Sequence, residues 1–161
     1  MTPETDPLGL LGAATMPVGA PNAAWKRVLV PTDFSPAAEQ AVRVAVGLAR
    51  RSGATLTLLH VVEINGKAPR VGSARDGEFL KDQWTEGAEK LRNHAESLAA
   101  SGLTAIPLVV EGIPAEQILL CSVHHDLVVL ARSSRRWRLF ARRTWSAVMA
   151  ACSRTVLLDP A

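Results

Sequence analysis

Arginines and aromatic rings interleave from Arg132 to Trp145, in the run Arg-Ser-Ser-Arg-Arg-Trp-Arg-Leu-Phe-Ala-Arg-Arg-Thr-Trp. A guanidinium holds a phosphate or carboxylate through paired, charge-assisted hydrogen bonds. Aromatic faces beside it can stack on bases or lie in a membrane interface. On a helix, Arg135, Arg138 and Arg142 line one face and, with Arg143, form a candidate surface for an anionic protein, nucleic acid or lipid. The plainer reading is a solvated basic face whose aromatics pack on the body of the protein or on a second copy. No recognised nucleic-acid-binding motif accompanies the run.

Other chemistry-bearing residues are sparse. His124-His125-Asp126 puts three potential ligands in a row, but adjacent side chains diverge in any regular structure and no third ligand follows at metal-site spacing, so no metal is expected. No G-x-S-x-G elbow occurs, the histidines lie beside strands or on a helix surface, and no catalytic residues are assigned. Cys121 and Cys152 stand in separate apolar runs, with no C-x-x-C pair, which fits reduced, inert thiols.

Charge is unevenly placed. Seven arginines and no acid fall between Leu127 and Leu158; the other 11 Lys and Arg face 15 Asp and Glu, a net −4 beneath an overall +3. A basic pole on an acidic body points to an anionic partner. The first Lys or Arg is Lys26, so no basic segment precedes Leu8 to Ala14, a secretory leader is not expected, and the cytoplasm is the expected compartment. No run of about eighteen apolar residues is present to span a membrane.

The elements that must position these groups alternate. Residues 1–24, rich in Pro, Gly, Ala and Thr and without periodicity, read as a disordered tail before one domain over 25–161. Val28-Leu29-Val30, stopped by Pro31, reads as a buried strand. Ser35 and Pro36 open a helix with Ala38, Ala41, Val42, Ala45, Leu48 and Ala49 on one face and Gly53 at its end. Thr55 to Val62 is a near-continuous apolar strand, as burial on both faces demands. A loop over Asn65 to Gly77 precedes a helix from Glu78 to Ser101 with a stripe of Leu80, Trp84, Ala88, Leu91, Ala95 and Leu98. Ile106 to Val110 is a strand whose Pro107 argues for an edge. A short helix from Pro114, a strand over 126–131, a helix over 136–152 and a strand over Thr155 to Leu158 complete the pattern. Alternation of this kind implies an α/β fold with a parallel sheet and helices on both faces, whose ligands bind beyond the carboxyl ends of the strands. Periodicity does not give the strand order.

Several of these segments are also specific. Val28-Leu29-Val30-Pro31-Thr32-Asp33-Phe34-Ser35, Leu58-Leu59-His60-Val61-Val62, Glu111-Gly112-Ile113-Pro114-Ala115-Glu116-Gln117-Ile118 and Asp126-Leu127-Val128-Val129-Leu130 resemble, in order and spacing, the universal stress protein family. The resemblance covers Trp25 to Leu158. It implies a five-stranded parallel sheet in the order 3-2-1-4-5, a homodimer, and in many members ATP at the carboxyl ends of the first and fourth strands. Carried over, Pro31, Thr32, Asp33 and Val61 border the adenine. For Asp33 a simpler role is compatible, its carboxylate accepting backbone N–H groups at the helix entry. His60 reads as an ordinary strand-end residue.

The phosphate side departs from the family. ATP-binding members carry G-x-x-G, nine residues, then G-[ST] after the fourth strand; bare glycine backbone lets N–H groups close on the phosphates. Here Ala131 and Ser134 stand at the first two glycine positions, the segment runs about two residues short, and no glycine occurs from Ile113 onward. Either Arg132, Arg135 or Arg136 replaces the cradle with side chains, giving an ATP-binding sensor, or ATP binding is lost or weakened, the reading favoured by the shortened segment. The expected protein is a regulatory or binding protein of the stress response without a dedicated enzyme site, ATPase activity surviving only with nucleotide binding. An adaptor docking an anionic partner through 132–143 is the other alternative.

Overall fold

Side chains alternate across a strand, and when both sets are apolar the strand must be covered on both faces. The computed structural model, which describes residues 14–15, 25–64, 74–131, 141–152 and 155–158, has this form. Its elements are β1 (Ala14–Thr15), β2 (Arg27–Pro31), α1 (Pro36–Ser52), β3 (Thr55–Glu63), α2 (Ala74–Ala100), β4 (Ala105–Gly112), α3 (Pro114–Ser122), β5 (Leu127–Ala131), α4 (Ala141–Ala151) and β6 (Thr155–Leu158). The sheet order is β1-β6-β5-β2-β3-β4. All pairings are parallel except β1 against β6. Counting only the parallel strands, the order is the 3-2-1-4-5 that the resemblance implies, with the Pro107 strand at an edge.

Val28, Val30, Leu56, Leu58, Leu127 and Val129 are buried on one face with Ala41, Ala45 and Leu48 of α1 and Leu91 of α2. Leu29, Leu59, Val61, Val128 and Leu130 are buried on the other with Ile118 of α3 and Val148 of α4. The topology reverses at β2, whose neighbours are β3 on one side and β5 on the other. There β2 and β5 pair at only two positions, Val28↔Leu127 and Leu29↔Val128. Asp126 reinforces that short ladder from below. Its Oδ2 accepts the N–H groups of Lys26 and Arg27, each at 2.9 Å, and its own N–H donates to the Arg27 carbonyl at 2.8 Å.

Three expectations need correction. The helix placed at Glu78 starts at Ala74, because Gly77, which reads as a loop residue, is carried inside it. Trp84, assigned to the buried stripe, is 37% exposed, and the inward positions are Gly87, Leu91 and Ala95. At a rise of about 1.5 Å per residue α2 is about 40 Å long, whereas the strands beneath it span about 30 Å. Its first turns therefore overhang the carboxyl ends of the strands, and Trp84 lies just past that overhang, at the rim, where its large indole is covered only in part. In the segment read as a structureless tail, Ala14–Thr15 pairs with Leu157–Leu158; the rest of 1–24 lies outside the described residues.

Asp126→Ala removes the acceptor of two exposed backbone N–H groups, which water can then satisfy, and should lower stability by about 1 kcal/mol in urea unfolding. Asp126→Asn, which keeps one carbonyl oxygen, should recover part of the loss.

Candidate functional site

The backbone leaving β2 must turn into α1 with its N–H groups satisfied, and three short side chains do this in succession. The Phe34 N–H donates to Thr32 Oγ1 at 3.0 Å, the Ser35 N–H to Asp33 Oδ1 at 3.0 Å, and the Ala38 N–H to Ser35 Oγ at 3.2 Å. The last is the helix N-cap anticipated for Ser35. Phe34 takes a φ of 60°, a left-handed conformation uncommon for a bulky residue.

A histidine fixes that conformation. His60 Nδ1 lies 2.9 Å from the Thr32 carbonyl oxygen. A carbonyl only accepts, so Nδ1 carries the proton and, in the neutral ring, Nε2 is left as the acceptor. The ring packs on Phe34 with centroids 4.7 Å apart and planes inclined at 41°. Against its other side lies Gly87 of α2. A Cβ at Gly87 would sit 2.6 Å from His60 Cδ2, so only glycine admits the ring here. Lys90, one turn further along α2, places Nζ 5.2 Å from the Phe34 ring centroid. The same ammonium donates to Glu86 Oε1 at 2.5 Å and holds that carboxyl below its usual range.

Beneath the overhang of α2 these groups enclose a pocket of about 390 Å³, bordered among others by Asp33, Phe34, His60, Glu63, Gln83 and Lys90. Partial burial pushes the Glu63 carboxyl above its ordinary value. Two rings and a row of hydrogen-bonding groups suit a flat, polar-edged ligand; among the described residues the charged groups at the pocket are Asp33, Glu63, Glu86 and Lys90, the last two paired with each other.

Of the residues implied for the adenine side, Asp33 and Val61 both border this pocket. Pro31 ends β2. Thr32 is buried and its hydroxyl is committed to the turn. Ala131 ends β5 and pairs with Leu158, away from the pocket. Arg132, Ser134, Arg135, Arg136 and Arg138 lie outside the described residues. Arg142 and Arg143 fall in the first turn of α4, with their side chains outside the described part. His60, Phe34, Gly87 and Lys90 were not expected to act together. The available signal was His60 itself, a polar residue at a face position between Leu58 and Val62.

His125 and Asp126 are committed elsewhere. His125 Nδ1 is 2.7 Å from the Cys121 carbonyl oxygen and Nε2 is 2.9 Å from Thr57 Oγ1. Among the described residues no group of three His, Cys, Asp or Glu side chains could hold a metal ion. Cys121 and Cys152 are free and half-buried, and burial raises the Cys121 thiol above its ordinary value.

A family model described as the universal stress protein family matches residues 24–158. A universal stress protein of Methanocaldococcus jannaschii is 28% identical over 119 residues, which is 69% of this chain and 66% of the archaeal protein. Among solved structures, the universal stress protein UspA from Lactobacillus plantarum superposes with a TM-score of 0.74 at 25% identity, over 87% of this chain and 100% of that one. A universal stress protein solved in complex with cAMP superposes with a TM-score of 0.62 at 22% identity, over 84% of this chain and 98% of that one, and shares the fold.

Gly87→Ala should destabilise the protein by about 1 kcal/mol, the clash with His60 outweighing the helix-propensity gain. Gly77→Ala, in the same helix with open space around it, should instead stabilise by up to about 1 kcal/mol in the same unfolding assay. Glu63 has a raised folded pKa, so its ionisation weakens the fold as pH rises from 4.5 through that value. Glu63→Gln should therefore be more stable than the parent at neutral pH, with the difference vanishing at lower pH.

Proposed function

The chain belongs to the universal stress protein family, and from that premise we propose that it is a regulatory binding protein of the stress response in which ATP binding is lost or weakened. The observation that carries this reading is the asymmetry between the two halves of the site. On the β2–β3 side, Asp33 and Val61 border a formed pocket and the Thr32–Ser35 turn is fully hydrogen-bonded. On the β5–α4 side the sequence has no glycine from Ile113 onward, so every backbone N–H that could face a phosphate carries a neighbouring Cβ. The residues present do not fit the glycine cradle through which a triphosphate would be held.

A structural neighbour is solved in complex with cAMP, so nucleotide binding by this fold has precedent. In this chain the partly buried Glu63 at the pocket favours a ligand without added negative charge beside it. No dedicated enzyme site is assigned; hydrolysis of ATP would require that nucleotide binding survive. The two free cysteines fit a reducing compartment, and we place the protein in the cytoplasm as a homodimer. No described helix is long and apolar enough to cross a membrane.

The concentration of seven arginines between Leu127 and Leu158 favours a second reading, in which the basic segment 132–143 docks an acidic protein, nucleic acid or anionic lipid. Docking of that kind should weaken steeply with ionic strength and fail in an Arg135→Glu, Arg138→Glu double variant, while Asp33→Ala spares it.

Calorimetric titration of the folded protein with ATP at moderate salt should give no detectable heat at two temperatures. Micromolar binding that Asp33→Ala abolishes would overturn the main reading and favour an arginine-built phosphate site.

A further inference from the structure

The charged groups and rings of the pocket beneath α2 differ in whether their partners are already in place. Lys90 is committed: its ammonium donates to Glu86 Oε1 and lies 5.2 Å from the centre of the Phe34 ring, so that cation and carboxylate cancel. Glu63, at the end of β3, is not. Among the described residues its carboxylate meets no hydrogen-bond donor and no cation, while partial burial pushes it above its ordinary value. A carboxylate taken partly out of water and left unpaired is held at a cost that a cation brought to it would offset. His60 supplies a second open acceptor. Its Nδ1 proton goes to the Thr32 carbonyl, which leaves Nε2 bare in the neutral ring, and no described group donates to that nitrogen.

We propose that this pocket binds a small, flat organic cation of the amidinium or protonated-amine class, its N–H groups donating to Glu63 and His60 Nε2 and its apolar body lying against Phe34 and Phe79. The rings favour that chemistry as much as the acceptors do. A lone exposed phenylalanine is ordinary on a surface, but Phe79, 61% exposed, also borders the cavity, so its ring is there for a guest to cover. Aromatic faces attract cations, and this pocket already uses one in that way, with Lys90 over Phe34. An amidinium presents parallel N–H groups that match a carboxylate, as a guanidinium does. The volume, about 390 Å³, falls within the range of small-molecule sites. An anion would fare worse, since it would sit beside the unpaired Glu63 and reach only an ammonium that Glu86 already holds. The inference rests on the reading above, that this pocket is where the protein takes its ligand, and adds the ligand's class.

The test uses three probes with the same ring and different charge, benzamidine, benzamide and benzoate, titrated into the full chain and followed by amide chemical shifts. Benzamidine should move the amides of His60, Glu63 and Gly87 and bind about tenfold or more tighter than benzamide, the size of one charge-assisted contact. Benzoate should leave those amides unmoved. Glu63→Gln keeps the size of the side chain and removes its charge, so it should abolish the preference for benzamidine over benzamide. Phe79→Ala, at an exposed position, should weaken benzamidine severalfold. Benzamide binding as tightly as benzamidine would overturn the proposal. So would a preference that survives Glu63→Gln, shifts confined to another surface, or no binding of benzamidine at all. A parallel titration with ATP keeps the two claims apart: micromolar ATP binding overturns the loss of ATP binding, whereas failure of benzamidine alone overturns the cation site.

Discussion

Five parallel strands covered on both faces leave their carboxyl ends as the natural place for a ligand, and the form of that end rests on how residues 32–35 satisfy their own backbone. The N–H groups of Phe34, Ser35 and Ala38 find side-chain oxygens from Thr32, Asp33 and Ser35. The Thr32 carbonyl takes the His60 Nδ1 proton. Each of these groups left buried and unpaired would cost about 1–3 kcal/mol, enough to matter in a protein of ordinary marginal stability. His60 is also the link to α2, because its ring fits only where Gly87 lets the helix approach. Turn, strand end and overhanging helix are thus one unit.

On the proposed reading, that unit lets one half of a nucleotide site persist without the other. The β2–β3 side is held by interactions that also hold the fold together, so it survives whatever happens at β5. Leu127, Val128 and Val129 bury β5 by their own packing. β5 pairs with β2 at Val28↔Leu127 and Leu29↔Val128, and Asp126 secures that pairing from below.

Much of this was legible in the sequence. The apolar runs at Val28–Val30 and Leu127–Leu130, the Ser35-Pro36 helix start and Pro107 at an edge are local signals that tertiary structure had no reason to override. The extent of α2 was less legible, because Gly77 mimics a boundary, and a helical stripe does not say how completely a large side chain such as Trp84 is covered at the rim of the sheet. His60 was read as an ordinary strand-end residue because its partners, Thr32 and Gly87, lie far from it in sequence. The strand at Ala14–Thr15 carried no signal, as two residues have no periodicity.

The central claim is that the phosphates of a nucleotide gain nothing from this chain. The direct measurement is the ratio of ATP to adenosine affinity in one displacement titration on the same sample. The account predicts that ATP binds no more tightly than adenosine, since neither a glycine cradle nor net positive charge lines the described pocket. ATP binding tenfold or more tighter than adenosine, an advantage of about 1.4 kcal/mol, would contradict it and assign the phosphates to the arginines after β5.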